Sequence, residues 1–392
     1  MINKIHIWNL PLDKVYIKLN KVRKELINES IKESDKIISG KFRRKAGKLI
    51  KFLNNKSIKY NTKQIKSDRI IFHWKKGDCF IPLWAITEMS KLAKCFPIGK
   101  IEKAIIFYKA KSGSYIVKSK FPLEINPEMV ALYFHLFGDG SFSEKNSTAV
   151  YSQLDKKTRN NFIKKLECAF GKFNSSKIKG SKYSFVFPSI FANILKHTFN
   201  VNTFLSDRGR IPKKIKELPN ILKFSGVIAF LIDEGYIGDN ITFSSSNKLF
   251  LKDFGELLLS IGFDSKISNN ILTLKNNDIP KFYENYLKLI SISPYCNLTF
   301  KEDRLKLLYN VNKRSRGHNF TKEIIKNYQN KILQLLEYNK LKTNDIRLAL
   351  FNEYNITISY TTLRRLLRSL EREKLIKKRN IIKSKYEWFC IY

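Results

Sequence analysis

The sequence predicts an α+β protein organised around an internal repeat of roughly domain size. Residues 227–235, VIAFLIDEG, form an apolar run that ends in two acids and a glycine. Residues 132–140, LYFHLFGDG, form an earlier run with a similar end. Two short strand-like segments and a helical segment follow each run, and the acids Asp139 and Glu234 lie 95 residues apart. A pattern that recurs at this spacing indicates two structural repeats in tandem.

The two apolar runs predict helices that are buried along most of their length, because neither run has a polar face. Asn126 is placed to cap the first helix, and Pro127 suits its first turn. Both helices end in acids, where the negative end of the helix dipole disfavours a carboxylate by about 0.3–1 kcal/mol. A bound divalent cation would offset this cost. Gly235 is expected to supply a left-handed or open backbone at the end of the second helix.

The segment before the repeat is strongly basic and predicts a helical region followed by a strand-rich region. Its predicted helices span 13–35, 41–54 and 81–94, and its predicted strands span 69–74, 104–110 and 115–121. The cluster over 41–45, KFRRK, is compatible with phosphate contact and equally with an ordinary exposed helix. Residues 67–122 carry no pattern that indicates a chemical role.

Each half of the repeat predicts the order helix, strand, strand, helix, strand, strand, helix. In the first half the elements after the apolar helix span 141–142, 148–153, 155–170, 177–179, 183–187 and 189–197. In the second half they span 236–237, 241–245, 248–261, 265–268, 271–274 and 279–290, with a further segment over 298–308.

The last part of the chain, residues 321–392, predicts a separate module of three helices and a strand hairpin. The helices span 321–337, 343–355 and 359–375, and the strands span 375–382 and 386–392. This pattern resembles a winged helix-turn-helix domain, in which the third helix enters the major groove of DNA. The residues expected to contact DNA are Tyr360, Thr361, Thr362, Arg364, Arg365 and Arg368 on the third helix and Lys377, Lys378 and Arg379 on the wing.

The composition indicates a nucleic-acid-binding protein of a reducing compartment. The chain has 392 residues and a formal net charge of +40, and a potential of this size attracts polyanions even if a lysine-rich coding bias supplies part of it. The five cysteines have no CxxC spacing, which argues against a disulfide framework or a zinc finger. No transmembrane run and no signal peptide are visible, so we expect a cytoplasmic, nucleoid-associated protein that is not secreted.

The paired motifs resemble those of the LAGLIDADG homing endonucleases in their single-chain, two-repeat form. A basic-Ile-Pro stretch before the second motif, residues 208–215, is a third matching feature. The resemblance covers residues 123–316, about half of the chain, and implies a monomer whose two saddle-shaped antiparallel sheets lie in the major groove of double-stranded DNA. The expected domains are a basic helical region 1–66, a small strand-rich region 67–122, repeat 1 over 123–218, repeat 2 over 219–316 and the winged helix over 321–392.

The resemblance also implies the metal ligands. Asp139 and Glu234 stand before the last glycine of each motif, Gly140 and Gly235, and match the family's metal-binding acids. Asp233 is a secondary candidate, and its counterpart in the first motif is Gly138. Carboxylates at this position would hold Mg²⁺, or Mn²⁺ in its place, since hard cations prefer oxygen ligands. Such a metal lowers the pKa of a bound water and shields the leaving oxygen in phosphodiester hydrolysis.

A basic residue near the active site of each half is implied as well. Arg210 and Lys306 follow their acids by 71 and 72 residues, which fits a pseudo-twofold arrangement. Lys213 and Arg304 are the competing candidates.

The first motif departs from the family pattern at two positions. Five residues before the acid, family members usually have Gly or Ala so that the two motif helices pack closely. The second motif has Ala229 there, but the first has Phe134, which is expected to push the helices apart and loosen the metal geometry. His135 is unusual in a buried helix and is expected to find a hydrogen bond rather than a metal.

Three functions are compatible with these patterns. The leading hypothesis is a site-specific double-strand DNA endonuclease of homing type, which acts on no small-molecule substrate. The second is a DNA-binding transcription regulator on the same scaffold, and the third is an RNA intron maturase. Since the regulators have lost the metal-binding acids, the presence of both Asp139 and Glu234 favours the endonuclease.

Overall fold

The computed structural model describes residues 4–44, 46–94, 96–111, 113–117, 121–143, 148–173, 183–201, 203–205, 207–313, 321–382 and 385–391. It has a mixed α+β architecture with several antiparallel sheets, as predicted. The chain divides into two compact units, Met1–Ala229 and Phe230–Tyr392. None of the helices among the described residues is long and apolar enough to cross a membrane.

Unit 1 begins with short strands and five helices. They are β1 Lys4–Ile5, β2 Val15–Leu19, α1 Val22–Ile37, α2 Ala46–Ser57, α3 Arg69–Lys76, β3 Ile81–Pro82, α4 Leu83–Ala93, α5 Ile98–Ala104, β4 Ile105–Ala110, β5 Ile116–Val117 and β6 Leu123–Glu124. The predicted helices at α2 and α4 and the predicted strand at β4 are confirmed.

Two predictions in this segment are wrong. The helix predicted over 13–35 begins only at Val22, because Val15, Ile17 and Leu19 alternate into the core of the protein and form strand β2 instead. The strand predicted over 69–74 is helix α3, in which Ile71 and Trp74 lie three residues apart on one buried face. Parts of the predicted hairpin, Ser112 and residues 118–120, lie outside the described residues.

The rest of unit 1 contains the first apolar helix and the elements that follow it. They are α6 Pro127–Phe137, β7 Gly140–Ser143, β8 Thr148–Ser152, α7 Lys156–Phe170, β9 Lys172–Phe173, β10 Ser184–Phe187, α8 Ser189–Phe199 and α9 Lys213–Lys216, followed by the first part of α10 Asn220–Glu234. The predictions at α6, β7, β8, α7, β10 and α8 are confirmed, and β9 and α9 are unpredicted elements. The strand predicted over 177–179 lies outside the described residues.

Among its described residues, unit 1 has a two-stranded sheet, β1-β6, and two larger sheets. One has the antiparallel order β10-β8-β7, with Tyr151 and Phe185 paired on its buried face. The other has the order β3-β2-β4-β5-β9 and joins strands from both expected N-terminal regions to a strand of the first half. The expected boundaries at residues 66 and 122 therefore run through one sheet.

Unit 2 begins in the last turn and a half of α10. It continues with β11 Gly235–Ile237, β12 Ile241–Ser244, α11 Lys248–Ser260, β13 Ser265–Ser268, β14 Ile271–Leu274, α12 Ile279–Ile292 and α13 Glu302–Lys313. The sheet order is β11-β12-β14-β13, antiparallel throughout. Within the further segment 298–308, helix α13 starts only at Glu302, because residues 299–301 form a 3₁₀ turn in which Thr299 has a φ of +50°.

The C-terminal module also belongs to unit 2. It consists of α14 Lys322–Glu337, β15 Leu341–Lys342, α15 Thr343–Tyr354, α16 Tyr360–Arg372, β16 Ile376–Ile382 and β17 Lys385–Cys390. Three helices and the hairpin are as predicted, and β15 is an unpredicted strand that pairs with β17 in the order β15-β17-β16. The module has its own apolar core, to which Ile332, Leu350, Leu367 and Trp388 contribute.

Candidate active site and nucleic-acid interface

Helix α6 has the predicted beginning and a tightly packed end. The Asn126 side chain accepts a hydrogen bond from the Met129 N–H at 2.9 Å, and Pro127 occupies the first turn. After the helix, the chain turns back so closely that a Cβ on Gly140 would lie 2.5 Å from the Leu136 Cα. A Cβ on Gly235 would lie 2.4 Å from the Leu231 Cδ1, four residues earlier in α10.

The two motif glycines therefore have the same role, which is to leave room for the chain beside the last helical turn. Neither glycine has a positive φ, so of the two conformations expected at Gly235 the left-handed one is excluded, and Gly235 instead begins the extended strand β11. Gly138 caps α6 by donating its N–H to the Phe134 carbonyl at 2.9 Å.

Asp139 is half-exposed and is oriented by the end of strand β8. The Gln153 Nε2 donates to Asp139 Oδ2 at 2.8 Å, and the Ser152 N–H donates to the Asp139 carbonyl at 3.0 Å. Sequence reasoning missed Gln153. A signal was present, because Gln153 directly follows a strand that must pair with the strand leaving Asp139.

The end of helix α10 is held by a lysine from a distant part of the chain. Lys301 is 7% exposed, and its Nζ donates to the carbonyls of Leu231 at 2.7 Å, Ile232 at 2.7 Å and Gly235 at 2.6 Å. An ammonium group has three donors, and here each has a carbonyl acceptor. The cation that offsets the negative end of this helix is therefore Lys301, a role that the sequence had suggested for a divalent metal.

Glu234 is half-buried beside this lysine. Burial raises the pKa of the Glu234 carboxyl, the neighbouring Asp233 carboxylate raises it further, and the Lys301 ammonium lowers it. The net direction is upward, so the ionised form of Glu234 is disfavoured in the protein relative to water. A bound cation would relieve this cost.

We expect Glu234→Gln to stabilise the metal-free protein at neutral pH, by no more than about 1 kcal/mol since the side chain stays partly in contact with solvent. Because the folded-state pKa is raised, the ionised carboxylate destabilises the fold above that pKa. Near and below the ordinary value of 4.5, both folded and unfolded states bind the proton and the gain disappears. Urea unfolding of both proteins in EDTA, from pH 4 to pH 8, measures the difference; a gain that grows toward low pH would contradict this account.

The two motif helices approach each other closely within unit 1. The Ser225 Oγ of α10 donates to the Pro127 carbonyl of α6 at 2.8 Å. A Cβ on Gly226 would lie 2.3 Å from the Phe134 Cε2, so the phenyl ring occupies the space that a side chain at Gly226 would need. The expectation that Phe134 pushes the helices apart is wrong here, because the small residue that allows close packing lies on the opposite helix.

Gly226→Ala should therefore destabilise the protein by about 1–2 kcal/mol. Alanine gains about 0.8–1 kcal/mol in helix propensity, but overpacking a rigid core typically costs about 1–3 kcal/mol and dominates at this separation. Gly255→Ala in α11 is the matched control, since its Cβ would meet nothing closer than 3.5 Å and only the propensity gain applies. Adding Phe134→Leu should restore part of the loss in a double-mutant cycle of thermal unfolding, and strict additivity would refute the contact.

His135 is fully buried and has hydrogen-bond partners, as predicted. Its Nδ1 lies 3.3 Å from the Tyr151 Oη, and its Nε2 lies 3.0 Å from the Nζ of the buried Lys165. These contacts tie α6 to β8 and α7, which follow it in the first half.

The basic-Ile-Pro stretch packs against helix α6. The Tyr133 hydroxyl donates to the Arg210 carbonyl at 3.0 Å, and a Cβ on Gly209 would lie 2.0 Å from the Phe137 ring. Arg210 itself is exposed, near the end of the helix that leads to Asp139. Its competitor Lys213 lies 3.6 Å from the Glu217 carboxylate in an ion pair.

In the second half, Lys306 is exposed on α13 with its Nζ 6.0 Å from the centre of the Phe351 ring of the C-terminal module. Its competitor Arg304 has a buried Nε with no hydrogen-bond partner among the described residues.

Asp139 and Glu234 are each half-exposed, and each offers carboxylate oxygens, the donors that hard cations prefer. No group of three or more His, Cys, Asp or Glu side chains that would form a larger metal site occurs in the part of the chain that the structure describes. Asp233 is half-exposed next to Glu234.

The predicted DNA-binding residues of α16 fall into two groups. Arg364, Arg365 and Arg368 are exposed along one side, while Leu363 and Leu367 are buried. At the helix start, Ser359 caps the Thr362 N–H at 3.1 Å, and Asp239 accepts from the Tyr360 N–H at 2.9 Å and from the Thr361 hydroxyl at 3.4 Å. The structure therefore leaves the arginines accessible but engages the first turn in contacts within the protein. Lys377, Lys378 and Arg379 are exposed on β16, and the Lys378 Nζ lies 3.5 Å from Glu371.

A comparison with models of known protein families finds no match to this sequence, and a comparison with curated proteins finds no significant match.

Proposed function

We propose that this protein is a LAGLIDADG-type, metal-dependent endonuclease that cuts both strands of DNA at a specific site. Its two repeats span residues 123–218 and 219–316, and a winged helix over 321–392 extends the contact with DNA. The observation that carries the proposal is the matching organisation of the two halves: an acid directly precedes each motif glycine, at the end of α10 or just beyond the end of α6, and each motif glycine fits against the residue four positions before it, Leu136 or Leu231.

The order of strands in the two halves supports the same conclusion. The sheet of the first half has the order β7-β8-β10, and the sheet of the second half has the order β11-β12-β14 with β13 at its edge. In both sheets the strand that leaves the acid lies at one edge and the second strand lies beside it. Corresponding elements in the same sheet positions are what a tandem repeat produces.

In the proposed reaction, one acid from each motif binds Mg²⁺. The metal, when bound, supplies a water of lowered pKa and neutralises charge on the phosphate. The Asp139 carboxylate is oriented for this role by Gln153 and β8, and Glu234 is held at the end of α10 by the Lys301 hydrogen bonds to the helix carbonyls. Arg210, exposed beside α6, and Lys306 are the proposed basic residues that approach the phosphate.

The outer faces of the sheets are suitable for contact with bases. In unit 2, Thr242 and Thr273 are paired neighbours on the solvent side, and Phe243 and Leu272 face the core. Small hydroxyl side chains on a solvated sheet can donate to and accept from base edges in the major groove. The formal charge of +40 provides the sequence-independent attraction to phosphates.

The proposal is tested by selecting bound duplexes from a random library without divalent metal, and then adding Mg²⁺ to the selected complexes. Discrete cuts in both strands, at one position for each selected sequence, are the expected result. Stable, sequence-specific binding without cuts in Mg²⁺ or Mn²⁺ would favour a transcription regulator. Binding to a structured intron RNA in preference to any duplex DNA would favour a maturase.

A further inference from the structure

The C-terminal module is docked on the turn between β11 and β12. Asp239 of this turn accepts the Tyr360 N–H of α16 at 2.9 Å and lies 3.3 Å from the Nη2 of Arg347. Arg347 is 3% exposed, and it also donates through Nη1 to the Gly238 carbonyl at 3.3 Å and through Nε to the Ile358 carbonyl at 2.8 Å. A buried guanidinium with donors on both sides of the contact fixes the module on the second sheet.

This docking encloses a cleft of about 330 Å³ between β11, α13 and the module. Three tyrosines line it: Tyr236 of β11, Tyr360 of α16 and Tyr386 of β17. Tyr236 and Tyr386 are 47% and 38% exposed, so their rings are accessible. The Asn344 Nδ2 donates to the Tyr236 hydroxyl at 2.5 Å and so helps to hold this ring in place.

Two cations share the cleft with the tyrosines. Arg304 lines it, and its buried Nε has no hydrogen-bond partner among the described residues. Lys342 of β15 is exposed at the same cleft. One acid, Asp345, is also present, but it lies in the first turn of α15, where the helix dipole compensates a negative charge. The two cations therefore leave an excess of positive charge.

Aromatic rings beside cations are the combination that binds single nucleotides. A base stacks on an aromatic ring with about 1–3 kcal/mol, independently of its identity, and Arg or Lys binds the adjacent phosphate. A duplex does not offer a base face to such a cleft, because its bases are stacked on each other. An unpaired nucleotide does.

We propose that this tyrosine cleft, formed by Tyr236, Tyr360, Tyr386, Arg304 and Lys342, binds one unpaired nucleotide of the DNA that the protein contacts. The base stacks on the tyrosine rings, and its phosphate lies against Arg304 and Lys342. This inference rests on the proposed function only in requiring that the protein binds DNA. It adds a preference for locally unpaired DNA next to the second repeat.

The test compares a fully paired duplex with the same duplex carrying one bulged nucleotide, by fluorescence anisotropy without divalent metal. The bulged duplex should bind about tenfold more tightly to the native protein. Tyr386→Leu should remove this preference and leave binding of the paired duplex unchanged, whereas the control Tyr338→Leu, at an 84% exposed position outside the cleft, should retain it. Lys342→Met should lower the salt dependence of bulged-duplex binding by about 0.7 in log–log slope, whereas Lys340→Met, two residues away, should not.

Equal binding of paired and bulged duplexes by the native protein would overturn the cleft proposal and would leave the endonuclease proposal standing. A bulge preference that survives Tyr386→Leu in a protein with native thermal unfolding would overturn it as well. A polyglutamate peptide that competes with duplex DNA in the native protein but not in Lys342→Met, in the absence of any bulge preference, would show that the cleft binds an acidic protein segment instead. If the native protein shows the bulge preference but no metal-dependent cutting, only the proposed nuclease function is contradicted.

Discussion

Asp139→Asn is expected to slow Mg²⁺-dependent cleavage of the selected duplex by about 10³-fold or more, and Glu234→Gln to do the same. Each substitution removes a negatively charged oxygen ligand, and a bound metal contributes several kcal/mol to stabilising the charge of the transition state. A loss of about 4 kcal/mol corresponds to about 10³ in rate. Single-turnover cleavage, with the protein in excess over the duplex, measures the effect.

The double variant should cleave hardly more slowly than either single variant, because residues that hold one reactive centre act as a unit. Duplex affinity without metal should remain within about threefold of the native value, since neither acid is proposed to contact bases. Asp233→Asn is the matched control at the adjacent, half-exposed acid, and it should cost less than about tenfold. Independent, multiplicative losses at Asp139 and Glu234 would contradict a shared role.

Lys301→Met is expected to destabilise unit 2 by about 3 kcal/mol, corresponding to a fall in Tm of about 6–12 °C for a unit of this size. Methionine fills the volume of the lysine stem but leaves the carbonyls of Leu231, Ile232 and Gly235 without their ammonium donor. Buried acceptors that lose a charged partner pay their full desolvation cost.

The control for this variant is Lys306→Met, five residues further along the chain, where the side chain is exposed. Its free energy of unfolding should change by less than about 0.5 kcal/mol. Hydrogen exchange measures the effect locally. The Lys301→Met substitution should increase the exchange rate of the amides in the last turn of α10 more than that of the amides in α12. An unchanged free energy of unfolding and unchanged exchange rates would show that the hydrogen bonds from Lys301 to the three carbonyls do not stabilise the end of α10.

The elements of the repeat body were largely predictable from the sequence, because the spacing of their apolar residues and the positions of their N-cap residues indicate the same helices. Asn126 with Pro127 begins α6, Asp155 caps α7 and Asn247 caps α11, and each of these side chains accepts a backbone N–H three residues later. The N-terminal segment was less predictable. Strand β2 has only five residues, and its alternating Val15, Ile17 and Leu19 are followed almost directly by the helical pattern of α1, so that a single helix was predicted over both.

The contacts around the candidate site were not predictable, because they join residues that are far apart in the chain. Lys301 binds carbonyls 66 to 70 residues earlier, and Asp239 binds an α16 amide 121 residues later. Gly226 is an ordinary helical glycine in the sequence, and only the position of Phe134 against it explains why the first motif tolerates a phenyl ring. A single sequence does not indicate which of its distant residues are in contact.

Asp139 and Glu234 are each proposed to bind the metal ion that supports DNA hydrolysis. The most direct test is the number of Mn²⁺ ions that each protein holds in complex with the selected duplex, counted by electron paramagnetic resonance. The native complex should bind Mn²⁺, and the Asp139→Asn and Glu234→Gln complexes should each lose the ion while duplex binding persists. Equal Mn²⁺ occupancy in all three complexes would contradict this proposal.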